Sequence, residues 1–137
     1  MMSNLIMAQV VTNSRIAYDA IRPLLKYPEQ EELFMICLTR ANTIADIHFI
    51  GLGTDCSVLI SSKIIAHHAV LDMACGVILA HTHPSGNSNP SSADIKATEK
   101  ISEALKLFDI DLVDHIIIGD NQYYSFSDEN VVAVVKE

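Results

Sequence analysis

VILAHTHPSGNSNPSSAD, residues 77–94, passes from a buried strand through an irregular loop into a helix. VILA (77–80) is an unbroken apolar run, the pattern of a strand covered on both faces. Pro84, Gly86, Asn87, Asn89 and Pro90 rule out regular structure after it. Ser91 or Ser92 then offers a cap for a helix that turns Ile95, Ile101, Ala104, Leu105 and Phe108 inward.

The same alternation recurs on both sides. Residues 14–26 place Ile16, Ala17, Ala20, Ile21, Leu24 and Leu25 at helical spacing behind possible caps at Thr12, Asn13 and Ser14, with Pro23 straining the later turns. LFMICL (33–38) and ADIHFIGL (45–52) predict two strands around a polar corner at 40–43. SKIIAHHAVLDMAC (62–75) predicts a helix capped by Ser61 or Ser62, with Gly76 as its C-cap. DLVDHIIIGD (111–120) and QYYSF (122–126) predict two more strands around a turn at 119–121, Tyr123 and Tyr124 taking opposite faces. The fold class expected is α/β: an α/β/α sandwich with a mixed β-sheet, in one domain over residues 1–137.

Seventeen acidic residues face nine basic ones, a formal net charge of -8. The nine Lys and Arg are scattered, so the chain lacks the basic stripe that nucleic-acid binding needs, and direct DNA binding is expected to be weak. Cys37, Cys56 and Cys75 form no Cys-x-x-Cys pair and read as reduced thiols of an intracellular protein. No Lys or Arg precedes Arg15, unlike the start of a signal peptide, and no apolar run approaches the length of a membrane span. A soluble, cytoplasmic protein is expected.

The chemistry concentrates at the mouth of the 77–80 strand. In an extended segment residues i and i+2 point to one side, about 7 Å apart, so His81 and His83 can converge on one ion. Asp94 falls in the first turn of the next helix, and the 84–90 loop is long enough to fold that turn back over the strand end. Two imidazoles, one carboxylate and an open fourth position are what a catalytic zinc site needs. Ser91-x-x-Asp94 also matches a capping box, in which Asp94 satisfies only backbone donors. His67 and His68 lie mid-helix without a partner set. His48 reads as a surface strand residue, and for His115 a buried histidine bonded to backbone is as good a reading as a functional one.

HTHPSGNSNPSSAD resembles the JAMM signature of the MPN (JAB) metallopeptidases: His-x-His-Pro, a serine, two residues and an aspartate. More narrowly, the chain from about Ser14 to Phe126 resembles the JAB domain of bacterial RadC proteins. The resemblance implies a cytidine-deaminase-like MPN/JAB fold and a zinc ion (Zn2+) held by His81, His83 and Asp94. It also implies Ser91 as a hydroxyl steadying the oxyanion and Glu31, within Gln30-Glu31-Glu32-Leu33, as general base. The substrate class implied is a peptide or protein conjugate. Thr82 stands where the commonest RadC motif has asparagine. The helix-hairpin-helix region of full-length RadC proteins is expected to be absent, with one short helix before the first strand.

Two functions of different class follow. One is a zinc hydrolase acting on an amide or isopeptide bond; the other is a DNA-repair-associated accessory module that binds without catalysis. A zinc deaminase would need His-x-Glu and Pro-Cys-x-x-Cys, and neither occurs.

Overall fold

The computed structural model describes residues 7–53, 60–131 and 134, so Cys56 lies outside the described residues. Among them five strands form one sheet: β1 (Glu32–Leu38), β2 (Ile44–Leu52), β3 (Gly76–Thr82), β4 (Asp111–Ile118) and β5 (Tyr123–Ser125), in the order β2-β1-β3-β4-β5. β3 and β4 run parallel, whereas β1/β2, β1/β3 and β4/β5 are antiparallel. Parallel neighbours cannot be joined by a hairpin, and α3 (Ser92–Lys106) supplies the crossover.

α1 (Ser14–Ile21) covers one face of the sheet, packing Ala17, Tyr18 and Ile21 with Phe34, Ile36 and Ile116. α2 (Ser62–Leu71) and α3 cover the other, where Ile65, Ala69, Ile101 and Leu105 meet Met35, Leu79 and Ile117. This is the α/β/α sandwich with a mixed sheet that the sequence predicts. Both faces of the central strands are covered, which is why LFMICL and VILA are unbroken apolar runs. No helix among the described residues is long and apolar enough to cross a membrane.

Several boundaries differ from expectation for local reasons. The helix expected over 14–26 ends at Ile21 and continues as a 3-10 turn, Arg22–Leu24, because Pro23 has no amide hydrogen for the helical ladder. Asn13 is its cap, accepting from the Ile16 amide at 3.0 Å. The helix expected over 62–75 stops at Leu71; Met73 turns left-handed (φ 52°) and the Ala74 amide donates back to the Ala69 carbonyl. Gly76 is therefore not a C-cap. It opens β3, where a Cβ would stand 2.9 Å from Val113 Cγ2. Phe108, expected inward, lies beyond the end of α3 and is 53 % exposed, whereas Thr98 and Ser102 are buried.

β3 runs two residues past VILA, to Thr82, and the next amide, of His83, still donates to the Ile118 carbonyl at 2.9 Å. The loop that follows is held against the β4–β5 turn. The Asp120 amide (3.0 Å) and the Gln122 side chain (3.1 Å) both donate to the Gly86 carbonyl. A Cβ on Gly119 would stand 2.3 Å from that carbonyl oxygen, so the two turns meet backbone to backbone only because residue 119 lacks a side chain. Gly119→Ala is expected to push the loop away and lower the unfolding free energy by about 1–3 kcal/mol, the usual cost of overpacking. Urea denaturation reads this directly; an unchanged midpoint would contradict the packing.

Candidate metal centre

The end of β3 and the start of α3 converge on one point. Pairing with Leu33 across β1 sets His81 on the α2/α3 side of the sheet, and His83 follows two residues later. Ser91 caps α3 in a complete capping box: its Oγ accepts from the Asp94 amide (3.0 Å), and Asp94 Oδ2 accepts from the Ser91 amide (2.8 Å). The same carboxylate faces both imidazoles. Asp94 Oδ1 is 3.4 Å from His81 Nε2, Oδ2 is 3.3 Å from His83 Nε2, and the two Nε2 atoms are 3.0 Å apart. One side chain thus completes the capping box and faces both imidazoles.

The hydrogen-bond network fixes which nitrogen of each ring carries a proton. Thr98 Oγ1 donates to the Asp94 carbonyl (2.6 Å), so it must accept from His115 Nδ1, also 2.6 Å away. Burial holds the His115 imidazole well below its ordinary pKa, and the ring is neutral. Its Nε2 is then an acceptor and takes the Nδ1 proton of His81 at 2.7 Å. His83 donates its own Nδ1 proton to the Asn87 carbonyl at 2.8 Å. Both Nε2 lone pairs are left pointing at the same small space.

Two lone pairs and a carboxylate repel one another at these distances unless a cation lies between them. The pKa of His83 is raised first by its bond to Asp94, against burial, with smaller help from Asn87 and from the charges of Asp94 and Glu31. Burial works against ionisation of Asp94, yet the neighbouring imidazoles and the bond from the Ser91 amide outweigh it and hold the carboxyl far below its usual range. A metal fits the geometry more fully than a proton does. The two Nε2 atoms are 3.0 Å apart and each has a different Asp94 oxygen at 3.3–3.4 Å, close to the edge of about 3.3 Å in a tetrahedron with bonds of about 2.05 Å, and one ligand atom from each of the three residues lies within 4.8 Å of the others. His81 is buried while His83 and Asp94 keep side-chain exposures of 15 % and 18 %, so the fourth position faces solvent.

The two neighbouring glutamates separate across the sheet. Glu32 is buried on the α1 side, its carboxylate accepting from the backbone amides of Lys26 and Tyr27 at 3.1 Å each. Glu31 lies just before β1, and alternation sets it on the other side, the side of Leu33 and His81. Thr82, between the two histidines, clasps this segment: its hydroxyl accepts from the Glu32 amide (2.9 Å) and donates to the Gln30 carbonyl (3.3 Å).

His115 and Thr98 are the residues that sequence reasoning missed. His115 bonds side chains, not backbone. The signal was a histidine inside an apolar strand, but its partner depends on the parallel register, which aligns it with Leu79, two residues before His81. His48 is partly buried, its side chain 19 % exposed and bonded to Asp72 at 2.7 Å. His67 and His68 take no part in the centre, and the His68 ring stacks on His48 at 4.2 Å.

Residues 11–131 match the family model described as the RadC-like JAB domain. The chain is 37% identical over 123 residues to a UPF0758 protein of Porphyromonas gingivalis, covering 89% of this chain and 54% of that one. It is 33% identical over 122 residues to a UPF0758 protein of Methanosarcina barkeri, with 89% and 53% covered. A UPF0758 protein of Clostridium botulinum is 36% identical over 108 residues, with 79% and 47% covered. The chain spans about half the length of the curated relatives it matches.

Thr98→Val removes the hydroxyl that takes the His115 proton and is expected to weaken metal binding about 10- to 100-fold, as loss of a ligand's hydrogen-bond partner does. Chelator competition measures it, with circular dichroism checking the fold; unchanged affinity would show that the relay does not orient His81. His115 itself is expected to stay neutral in imidazole nitrogen spectra as pH falls through its ordinary value, and a midpoint near that value would contradict the relay. Because the unfolded ring takes a proton near pH 6.5 and the folded one does not, its contribution to stability is full above about pH 6.5 and is lost as pH falls below it.

Proposed function

The chain belongs to the RadC-like JAB domain family, and from that premise we propose that it is a zinc-dependent hydrolase cleaving an amide or isopeptide bond in a peptide or protein conjugate. The observation that carries this reading is the convergence of His81 Nε2, His83 Nε2 and the Asp94 carboxylate on one small space, with the Nδ1 proton of each imidazole engaged elsewhere. Zinc held there would acidify water and polarise a carbonyl.

The remaining steps fall to the chain's own groups. Glu31 takes the proton of the attacking water and returns it to the leaving nitrogen. Thr82 keeps the Gln30–Glu32 backbone against the end of β3 and so holds Glu31 in place. Ser91 Oγ accepts the Asp94 amide through a lone pair, which leaves its O–H to donate to the developing oxyanion. Glu32 is excluded as the base by its bonds to Lys26 and Tyr27 on the opposite face. A pocket of about 340 Å³ adjoins His83 on the α1 side of the sheet, where Leu25, Tyr27, Pro28 and Ile118 stand beside Glu32 and Asp120. Cytoplasmic residence belongs to the same reading, supported by the free thiols of Cys37 and Cys75.

Glu31→Gln is expected to keep its zinc and lose about 10²- to 10⁴-fold in turnover on peptide- and isopeptide-linked fluorogenic substrates, whereas His83→Ala loses one zinc per chain and all activity. A zinc-loaded Glu31→Gln protein with wild-type turnover would remove Glu31 from the mechanism. A wild-type protein that binds zinc but cleaves none of these substrates would favour the accessory-module reading instead.

With a net charge of -8, the chain is expected to bind duplex DNA only non-specifically, with Kd above about 1 μM at physiological salt. Fluorescence anisotropy showing nanomolar, salt-sensitive binding would contradict this and bring a nucleic-acid role forward.

A further inference from the structure

A second set of ligand-type side chains lies at the other end of β1. The register pairs Cys37 with Asp46 and Met35 with His48, so all four project to the α2/α3 side of the sheet. Asp72, the C-cap of α2, meets them there. His48 Nε2 is 2.7 Å from Asp72 Oδ2 and 3.7 Å from Asp46 Oδ2. Cys37 Sγ, a His48 nitrogen and an Asp72 oxygen all lie within 4.8 Å of one another.

We propose that Cys37, His48 and Asp72 form a second metal site, for a divalent transition ion such as zinc, that staples the end of α2 to the β1–β2 pair. The local electrostatics ask for a cation. Asp72 sits at the negative end of a helix dipole, where an acid is unfavourable. Asp46 adds a second carboxylate, and among the described residues both pair with His48 and neither with Lys or Arg. One thiolate and one carboxylate would balance the charge of a divalent ion. The sulfur donor selects zinc, cobalt or iron over magnesium or calcium.

The arrangement suits a structural site rather than a nucleophile. Cys37 is fully buried, and burial first, then its bond to Asp72, push the thiol far above its ordinary pKa, so no free thiolate stands ready to attack. His48 and Asp72 are each 19 % exposed and form the rim through which an ion would enter. Asp46, on that rim, is placed to fill a fourth position. The site shares no residue with the His81–His83–Asp94 centre. Leu33, which pairs with His81, is four residues from Cys37 along β1, a separation of about 13 Å.

The test is a cobalt(II) titration of the metal-free chain, because the first centre offers only nitrogen and oxygen donors and the second offers a thiolate. The expected result is a near-ultraviolet thiolate-to-cobalt charge-transfer band that saturates with one ion and survives His83→Ala. It should disappear in both Cys37→Ser and His48→Gln, each variant binding one cobalt fewer than wild type. His48 is included because it lies at the rim, whereas replacing the core Cys37 can itself disturb folding. A wild-type chain without the band, or a band that persists in Cys37→Ser or keeps full strength in His48→Gln, overturns the site. Since His83→Ala touches only the first centre, failure of one site is read separately from failure of the other.

Discussion

The Nδ1 protons of His81 and His83 are both engaged, one by His115 Nε2 and the other by the Asn87 carbonyl, and this commits both Nε2 lone pairs to a single small space. The commitment is enforced from a distance. Thr98 can accept the His115 proton only because its own hydrogen goes to the Asp94 carbonyl, so the backbone of Asp94 sets the tautomer of His81 through two intervening side chains. A set of donors fixed in this way loses little entropy on taking up an ion, and it is unfavourable without a cation. The chemistry at the end of β3 rests on that arrangement.

The fold supplies the arrangement with few specialised parts. Parallel pairing of β3 and β4 demands a crossover, and the crossover helix has to begin near the end of β3. Its capping box orients Asp94 by the ordinary physics of a helix start, and the same carboxylate then meets the histidines. Thr82 does similar double duty, since its hydroxyl ties the segment bearing Glu31 to the strand that carries His81. The loop that supplies Asn87 is in turn held through the Gly86 carbonyl, which accepts from the Asp120 amide and the Gln122 side chain and has room to approach because residue 119 is glycine.

Much of this was legible in the sequence where the signal is local. Unbroken apolar runs gave the central strands, and the serine before Ile95 gave the start of α3. The His-x-His spacing and the resemblance it carries gave the three residues that the fold brings together. What escaped was whatever depends on pairing between distant segments. His115 could be read as a buried histidine with a backbone partner because nothing in LVDHIIIG states that β4 lies parallel beside β3. The Asp72 partner of His48 was hidden because the end of α2, which brings the two together, is set by where the helix stops at Leu71. Gly76 was misassigned for the same reason: its need for a missing side chain comes from Val113 on a neighbouring strand, not from the helix before it.

The central claim is that the space between His81, His83 and Asp94 is filled by a metal ion and not merely by a proton. Anomalous diffraction at the zinc absorption edge, from crystals grown with zinc and without chelator, tests it most directly. The account predicts a peak about 2.0–2.2 Å from His81 Nε2, His83 Nε2 and an Asp94 carboxylate oxygen, in tetrahedral geometry with one position left to solvent. Strong density for all three side chains in their present positions, with no anomalous peak between them, would contradict it.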